Sequence, residues 1–123
     1  RGITVDLLTY AGHLESLAPV LDDPRHTFVR ADVADADAMR AVFAEHRPDA
    51  VLHLAAESHV DRSIDGALDF VRTNVQGTVA LLEAARAHWG RLDGVAREDF
   101  RFVHVSTDEV FGSLGDVGAF DEG

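Results

Sequence analysis

Asp108 and Glu109 stand side by side behind the apolar run Phe100–Ser106 (FRFVHVS), with Thr107 just ahead of them. Two carboxyl groups held close split their pKa values, so one keeps its proton as an acid while the other serves as a base. The end of a buried strand is also where an α/β sheet presents its chemistry. The same three residues suit a helix N-terminus, with Thr or Asp as cap and Glu in the first turn. Spacing alone leaves both readings open. Asp6, near the end of Gly2–Leu8 (GITVDLL), is placed to accept hydrogen bonds from an adenosine ribose and to repel the 2′-phosphate of NADP; a solvated loop aspartate is the plain alternative. Asp32, beyond His26–Arg30 (HTFVR), is placed to accept from an adenine amino group. Leu54, Ala55 and Ala56 are small or apolar at a third strand end, which lets a flat cofactor approach the backbone and equally suits helix packing. Glu57, Ser58, His59, Asp61 and Arg62 crowd the loop that follows. His53 and His59 have no convincing third ligand, so no metal site is expected.

Holding these groups together requires a scaffold, and the pattern supplies one. Gly2–Leu8, His26–Arg30, Ala50–Ala56 and Phe100–Ser106 have the apolar, partly β-branched composition of buried strands. Helical segments alternate with them. Leu14–Leu21 is a short one, stopped before Pro24. The next is capped by Asp35 or Asp37, carries Met39, Val42 and Phe43 on one stripe, and ends before Pro48. The longest runs from Ala67 to Trp89, with Leu68, Val71, Val75, Val79, Leu82 and Ala85 at three- and four-residue spacing. Gly77 inside it marks close packing or a bend. Gly90–Asp99 reads as a polar connection and Thr107–Gly123 as loop. Strands alternating with helices predict an α/β doubly wound parallel sheet, a Rossmann-like arrangement.

Composition narrows the function. The 123 residues carry 11 basic and 22 acidic side chains, a formal charge of −11. Such a polyanion repels phosphate backbones and anionic lipid, and its arginines are scattered singly, so no nucleic-acid polymer or membrane partner is expected. No apolar run approaches the ~20 residues of a membrane span, and no signal segment opens the chain. The absence of cysteine fits a cytoplasmic protein. Every basic residue is arginine, and Tyr10 is the single tyrosine. A mechanism that needs a lysine cannot draw it from these residues.

TYAGHLESL, HLAAESHVDRSI, RTNVQGT, LLEAAR and VSTDEVFG occur in this order. With them the chain resembles the dTDP-glucose 4,6-dehydratases, a family of the extended short-chain dehydrogenase/reductases, from Ile3 to Gly112. Epimerases of similar fold carry serines and alanine where Asp108 and Glu109 stand, and GDP-mannose dehydratases keep only the Glu of the doublet. The resemblance implies NAD-dependent dehydration of dTDP-glucose to dTDP-4-keto-6-deoxyglucose. Asp108 would protonate the departing C6 hydroxyl, Glu109 would take the C5 proton, and Thr107 would polarise the sugar at O4, with Ser58 also touching substrate. NAD would lie against Asp6 and Thr9, then Asp32 and Val33, then Leu54, Ala55, Ala56 and Ser58, with Thr73 from the long helix. Leu7 stands where the family often has lysine. A homodimer built on a four-helix contact is also implied, with the Ala67–Trp89 helix contributing.

The family pattern includes parts not seen here. Its first strand and G-x-x-G-x-x-G turn, its Tyr-x-x-x-Lys pair and its smaller C-terminal sugar-nucleotide domain are missing, so an internal piece of a longer enzyme is expected. In the strand order 3-2-1-4-5-6 the missing first strand is the central one. The four strands should then form two separate pairs. Another nucleotide-sugar dehydratase, epimerase or decarboxylase, or a non-catalytic NAD-binding module, are the alternatives.

Overall fold

In the computed structural model, residues 1–59, 66–113, 115 and 117–120 are described. Asp61 and Arg62 lie outside the described residues. Strand β1 (Gly2–Asp6) pairs in parallel with β2 (His26–Arg30), from Gly2 opposite His26 to Asp6 opposite Arg30. Strand β3 (Ala50–His53) pairs in parallel with β4 (Arg101–His104), from Ala50 opposite Arg101 to His53 opposite His104. No ladder joins the pairs among the described residues. This is the split expected of a doubly wound sheet without its central strand.

The strands are shorter than their apolar runs. β1 stops at Asp6 because the Leu8 N–H turns back onto Asp6 Oδ1 at 2.6 Å, with Leu8 in the left-handed region at φ 55°. β3 stops at His53, whose carbonyl accepts the last cross-strand bond, from Val105 N–H at 3.0 Å. Leu54, Ala55 and Ala56 therefore belong to the exit, not to the strand. Phe100 closes the preceding helix and leaves β4 to begin at Arg101.

Leu14–Leu17 forms a 3₁₀ turn that leads into α1 (Ala18–Leu21). Helix α2 (Ala36–His46) starts at Asp35, whose carboxylate accepts from the Asp37 and Ala38 N–H groups. That choice between the two candidate caps follows from backbone geometry, since Asp35 is extended and Asp37 already helical. Met39 and Phe43 are buried, and Val42 packs beside them. The long helix is continuous but not uniform: α3 (Ala67–Phe70) runs through a π-helical stretch, Val71–Gly77, into α4 (Thr78–Trp89). The interval Gly90–Asp99 contains a helix that its polar composition conceals, α5 (Gly94–Asp99). Tertiary contacts with Trp89 hold it: the indole N–H donates to Arg97 O at 3.1 Å, and the Arg97 guanidinium lies 4.0 Å from the ring centroid.

The core is a layer of Val33, Met39, Phe43, Leu81, Ala84 and Ala85, where α2 meets α4, with Val5, Val51 and Phe102 packed against it from the strands. The small Ala84 and Ala85 let the two helices approach closely. Of the long helix's apolar stripe, only Ala85 joins this core. Leu68, Val71, Val75, Val79 and Leu82 are exposed, from 83% at Leu68 to 45% at Leu82. The stripe is an uncovered face, larger in extent than singly scattered apolar residues. One face of the second strand pair is open too, at Leu52 and Val103. No helix among the described residues is long and apolar enough to cross a membrane.

Candidate cofactor and acid–base site

The carboxyl ends of all four strands carry the predicted site residues, and two loops there meet directly. Past β1, Asp6 is exposed and uses Oδ1 to hold the Leu8 N–H. Gly12 closes this loop through its N–H to Thr9 O at 3.0 Å. A Cβ on Gly12 would sit 2.7 Å from Leu8 Cα and 3.0 Å from Asp6 Oδ1, so only glycine fits. Thr9 is exposed on the same turn. Tyr10 then reaches across to donate its hydroxyl to Glu57 Oε2 at 3.2 Å, with its ring 5.9 Å from that of His59. The exits of β1 and β3 are thereby joined.

Past β2, the Asp32 carboxylate is engaged on both oxygens. Oδ1 accepts from Ala34 N–H at 2.8 Å, and Oδ2 pairs with Arg72 Nη2 at 2.6 Å. A carboxylate has about four lone-pair sites, so capacity remains for an adenine amino group. Val33 is buried under the long helix, where a Cβ on Gly77 would come within 2.8 Å of Val33 Cγ2. Gly77 thus marks close packing.

Past β3, Leu54 and Ala56 are exposed while Ala55 packs on the core. Asn74 holds the next residue by both backbone groups. Glu57 N–H donates to Asn74 Oδ1 at 2.8 Å, and Asn74 Nδ2 donates to Glu57 O at 2.9 Å. Ser58 is exposed just beyond. Below this clamp, His53 is buried at 2% exposure, and its Nε2 lies 3.0 Å from Thr78 Oγ1. That hydroxyl donates to Asn74 O at 2.7 Å, so its oxygen accepts from His53 Nε2–H. The His53 ring centroid also lies 4.9 Å from that of His104, with the two planes tilted by 40°. Burial chiefly, and the His104 charge secondarily, hold the His53 pKa below the ordinary imidazole value.

Past β4, the cap reading of the Thr-Asp-Glu run holds, on a 3₁₀ turn. Thr107 caps a 3₁₀ turn, Asp108–Phe111, by accepting the Glu109 N–H at Oγ1, 3.3 Å away. Its hydroxyl donates to Asp108 Oδ1 at 3.3 Å. Asp108 and Glu109 are both exposed, at the strand end where reacting groups are presented.

One stretch of helix serves several exits. From Val71–Gly77, Arg72 reaches Asp32, Asn74 reaches Glu57 and Gly77 packs on Val33, while Thr73 is half-buried among them. Arg72, Asn74 and Tyr10 were not among the site residues that the pattern suggested. Arg72 and Asn74 lie inside the RTNVQGT string, which gave them no role of their own.

The family model for GDP-mannose 4,6 dehydratase matches residues 2–123. The chain belongs to this dehydratase family. Among its relatives, the dTDP-glucose 4,6-dehydratase 1 of Escherichia coli K12 is 59% identical over 112 residues, covering 91% of this chain and 31% of that protein. The dTDP-glucose 4,6-dehydratase of Streptomyces venezuelae, crystallised with NAD, matches with a TM-score of 0.78 at 49% identity, over 96% of this chain and 33% of that one. The Bacillus anthracis enzyme, also in complex with NAD, gives 0.77 at 33% identity, over 98% of this chain and 33% of that one. The chain spans about a third of the length of these dehydratases. Across that third, the Rossmann-type fold of the dehydratases is the fold of this chain.

The depressed His53 pKa makes stability depend on pH. Below about pH 6.5 an unfolded histidine takes up a proton that the folded site resists, so stability falls on acidification and levels off above that value. Thermal melts across this range should show a steeper acid decline for the wild type than for His53→Gln. Parallel profiles would contradict the assignment.

Proposed function

We propose that this chain is the cofactor and acid–base part of an NAD-dependent dTDP-glucose 4,6-dehydratase. The observation that carries the reading is the Asp108–Glu109 doublet on its Thr107-capped turn at the end of β4. Removing water across C5 and C6 of a hexose needs a base for the C5 proton and an acid for the C6 hydroxyl. An enzyme that only oxidises and re-reduces C4 needs neither. Two neighbouring carboxyls at one strand end meet that demand. We assign Glu109 as base and Asp108 as acid, with Ser58 on the sugar side and the Thr107 hydroxyl turning from Asp108 to O4 when the sugar binds.

The donor set fits a dinucleotide. Asp6 offers an exposed carboxylate to the ribose, with one oxygen already fixed by the Leu8 N–H. Asp32 and the backbone at Val33 would face the adenine end, and Leu54, Ala55, Ala56 and Ser58 with Thr73 would line the middle. Thr9 completes the β1 side. NAD held by these residues would supply a hydride acceptor for C4 and a hydride donor for C6, with no net redox change. These residues include no lysine and one tyrosine, Tyr10, so the base for the C4 hydroxyl must come from outside them. A nucleotide-sugar substrate makes the cytoplasm the working compartment.

The partner we assign to the open stripe is a second copy of the protein. Leu68, Val71, Val75 and Val79 present one apolar helix face, which two copies would bury against each other. In sedimentation of the full-length protein, Val75→Asp with Val79→Asp should convert dimer to monomer; an unchanged mass would remove the stripe from the interface.

Two further outcomes test the chemistry. Glu109→Gln in the full-length protein should slow C5 proton exchange while C4 oxidation continues, and Asp108→Asn should slow loss of the C6 hydroxyl, each by about 10²–10⁴-fold. Near-wild-type turnover of dTDP-glucose by either variant would eliminate that residue's role. After removal of bound cofactor, NAD should bind at least about tenfold tighter than NADP, since Asp6 hydrogen bonds to the ribose are lost and a like charge is met. Equal affinities would leave Asp6 a solvated loop residue.

A further inference from the structure

The backbone between Leu54 and Ser58 has left the ladder of β3 and must be fixed by something else. Among the described residues, its backbone hydrogen bonds are the two that the Asn74 amide makes with Glu57 N–H and Glu57 O, at 2.8 and 2.9 Å. Only a side chain that presents a donor and an acceptor together, as a primary amide does, can close this pair. Asn74 is itself fastened from below. Its carbonyl accepts from Thr78 Oγ1 at 2.7 Å, and that oxygen takes the buried His53 ring at 3.0 Å. The path from the last residue of β3 to its exit loop therefore closes on itself through the helix. Asn74 occupies the middle of the π-helical stretch Val71–Gly77, and insertions of this kind concentrate at functional sites. On one side of Asn74, Arg72 holds Asp32; Thr73 stands between them.

We infer that Asn74 is a positioning residue that sets Ala55, Ala56 and Ser58 against the nicotinamide dinucleotide by clamping the Glu57 backbone. The inference rests on the cofactor reading given above. Asn74 touches no reacting atom; its effect runs through the loop it holds. Replacing Asn74 with Ala deletes both bonds and frees the loop. Replacing it with Asp keeps the acceptor for Glu57 N–H and sets a second acceptor against Glu57 O. When that carboxyl takes up a proton, its O–H donates to Glu57 O and the amide pattern returns.

The test uses the full-length protein stripped of cofactor and titrated with NAD. Asn74→Ala should weaken NAD binding by about tenfold to a hundredfold, the loss of two net hydrogen bonds. Asn74→Asp should bind weakly at about pH 8 and recover toward wild type as the pH falls through the carboxyl range, whereas Asn74→Ala shows no recovery. A merely structural asparagine would not produce that pH signature. If Asn74→Ala does not fold, the Asp variant's pH series decides alone. Wild-type affinity in Asn74→Ala, or a pH-independent defect in Asn74→Asp, overturns the positioning role while leaving the cofactor reading intact. Failure of the wild type to bind NAD overturns both.

Discussion

The chain has to keep two strand pairs in one sheet's arrangement without a ladder between them, and the contact at Gly77 is what permits it. Val33 Cγ2 lies 2.8 Å from where a side chain on Gly77 would begin. With no Cβ there, the long helix settles onto the end of β2, and the residues just before Gly77 come within reach of both exits. Arg72 then spans to Asp32 and Asn74 to Glu57. The core below has the same character: Ala84 and Ala85 are small, so α4 lies close on Met39 and Phe43 of α2. Close approach of backbone, more than bulk of side chain, organises this end of the molecule.

The strand-exit groups differ in how they combine local structure with chemistry. Thr107 spends its hydroxyl as both acceptor for Glu109 N–H and donor to Asp108, which fixes the turn on which the two carboxylates ride. The cap uses Asp108 Oδ1 and the Glu109 backbone N–H, and leaves the Glu109 carboxylate outside it. Asp6 shows the same division, with Oδ1 turned to its own loop and Oδ2 left for another partner. The −11 charge of the chain is therefore not spread as inert surface. Several of its carboxylates stand at the ends of strands.

Much of this was legible in the residues. The alternation of apolar runs with helical stripes identifies the four strands, and the resemblance anticipates their split into two pairs. What failed was tied to interactions that no local pattern encodes. Apolar composition continues through Leu7–Leu8 and Leu54–Ala56, but a ladder ends where its partner does, so both strands are shorter. Helix α5 has polar composition and a left-handed Gly94 at φ 48°; contacts with Trp89 make up for weak propensity. The stripe of Leu68, Val71, Val75 and Val79 has helical spacing, yet spacing does not say which apolar face meets the core. Asn74 was invisible because it works on main-chain groups of Glu57, and a backbone partner leaves no mark in side-chain types.

Trp89 is the only tryptophan in the 123 residues. Among the described residues, the indole N–H to Arg97 O and the guanidinium 4.0 Å from the ring centroid both tie it to one residue of the short helix Gly94–Asp99. The tryptophan fluorescence of this region therefore comes from a single emitter tethered at a single point. Undocking of that helix would strip the indole of a cation and a hydrogen-bond acceptor in one event. The emission would report the detachment of six residues from the end of α4, with no second indole in the chain to blur the signal.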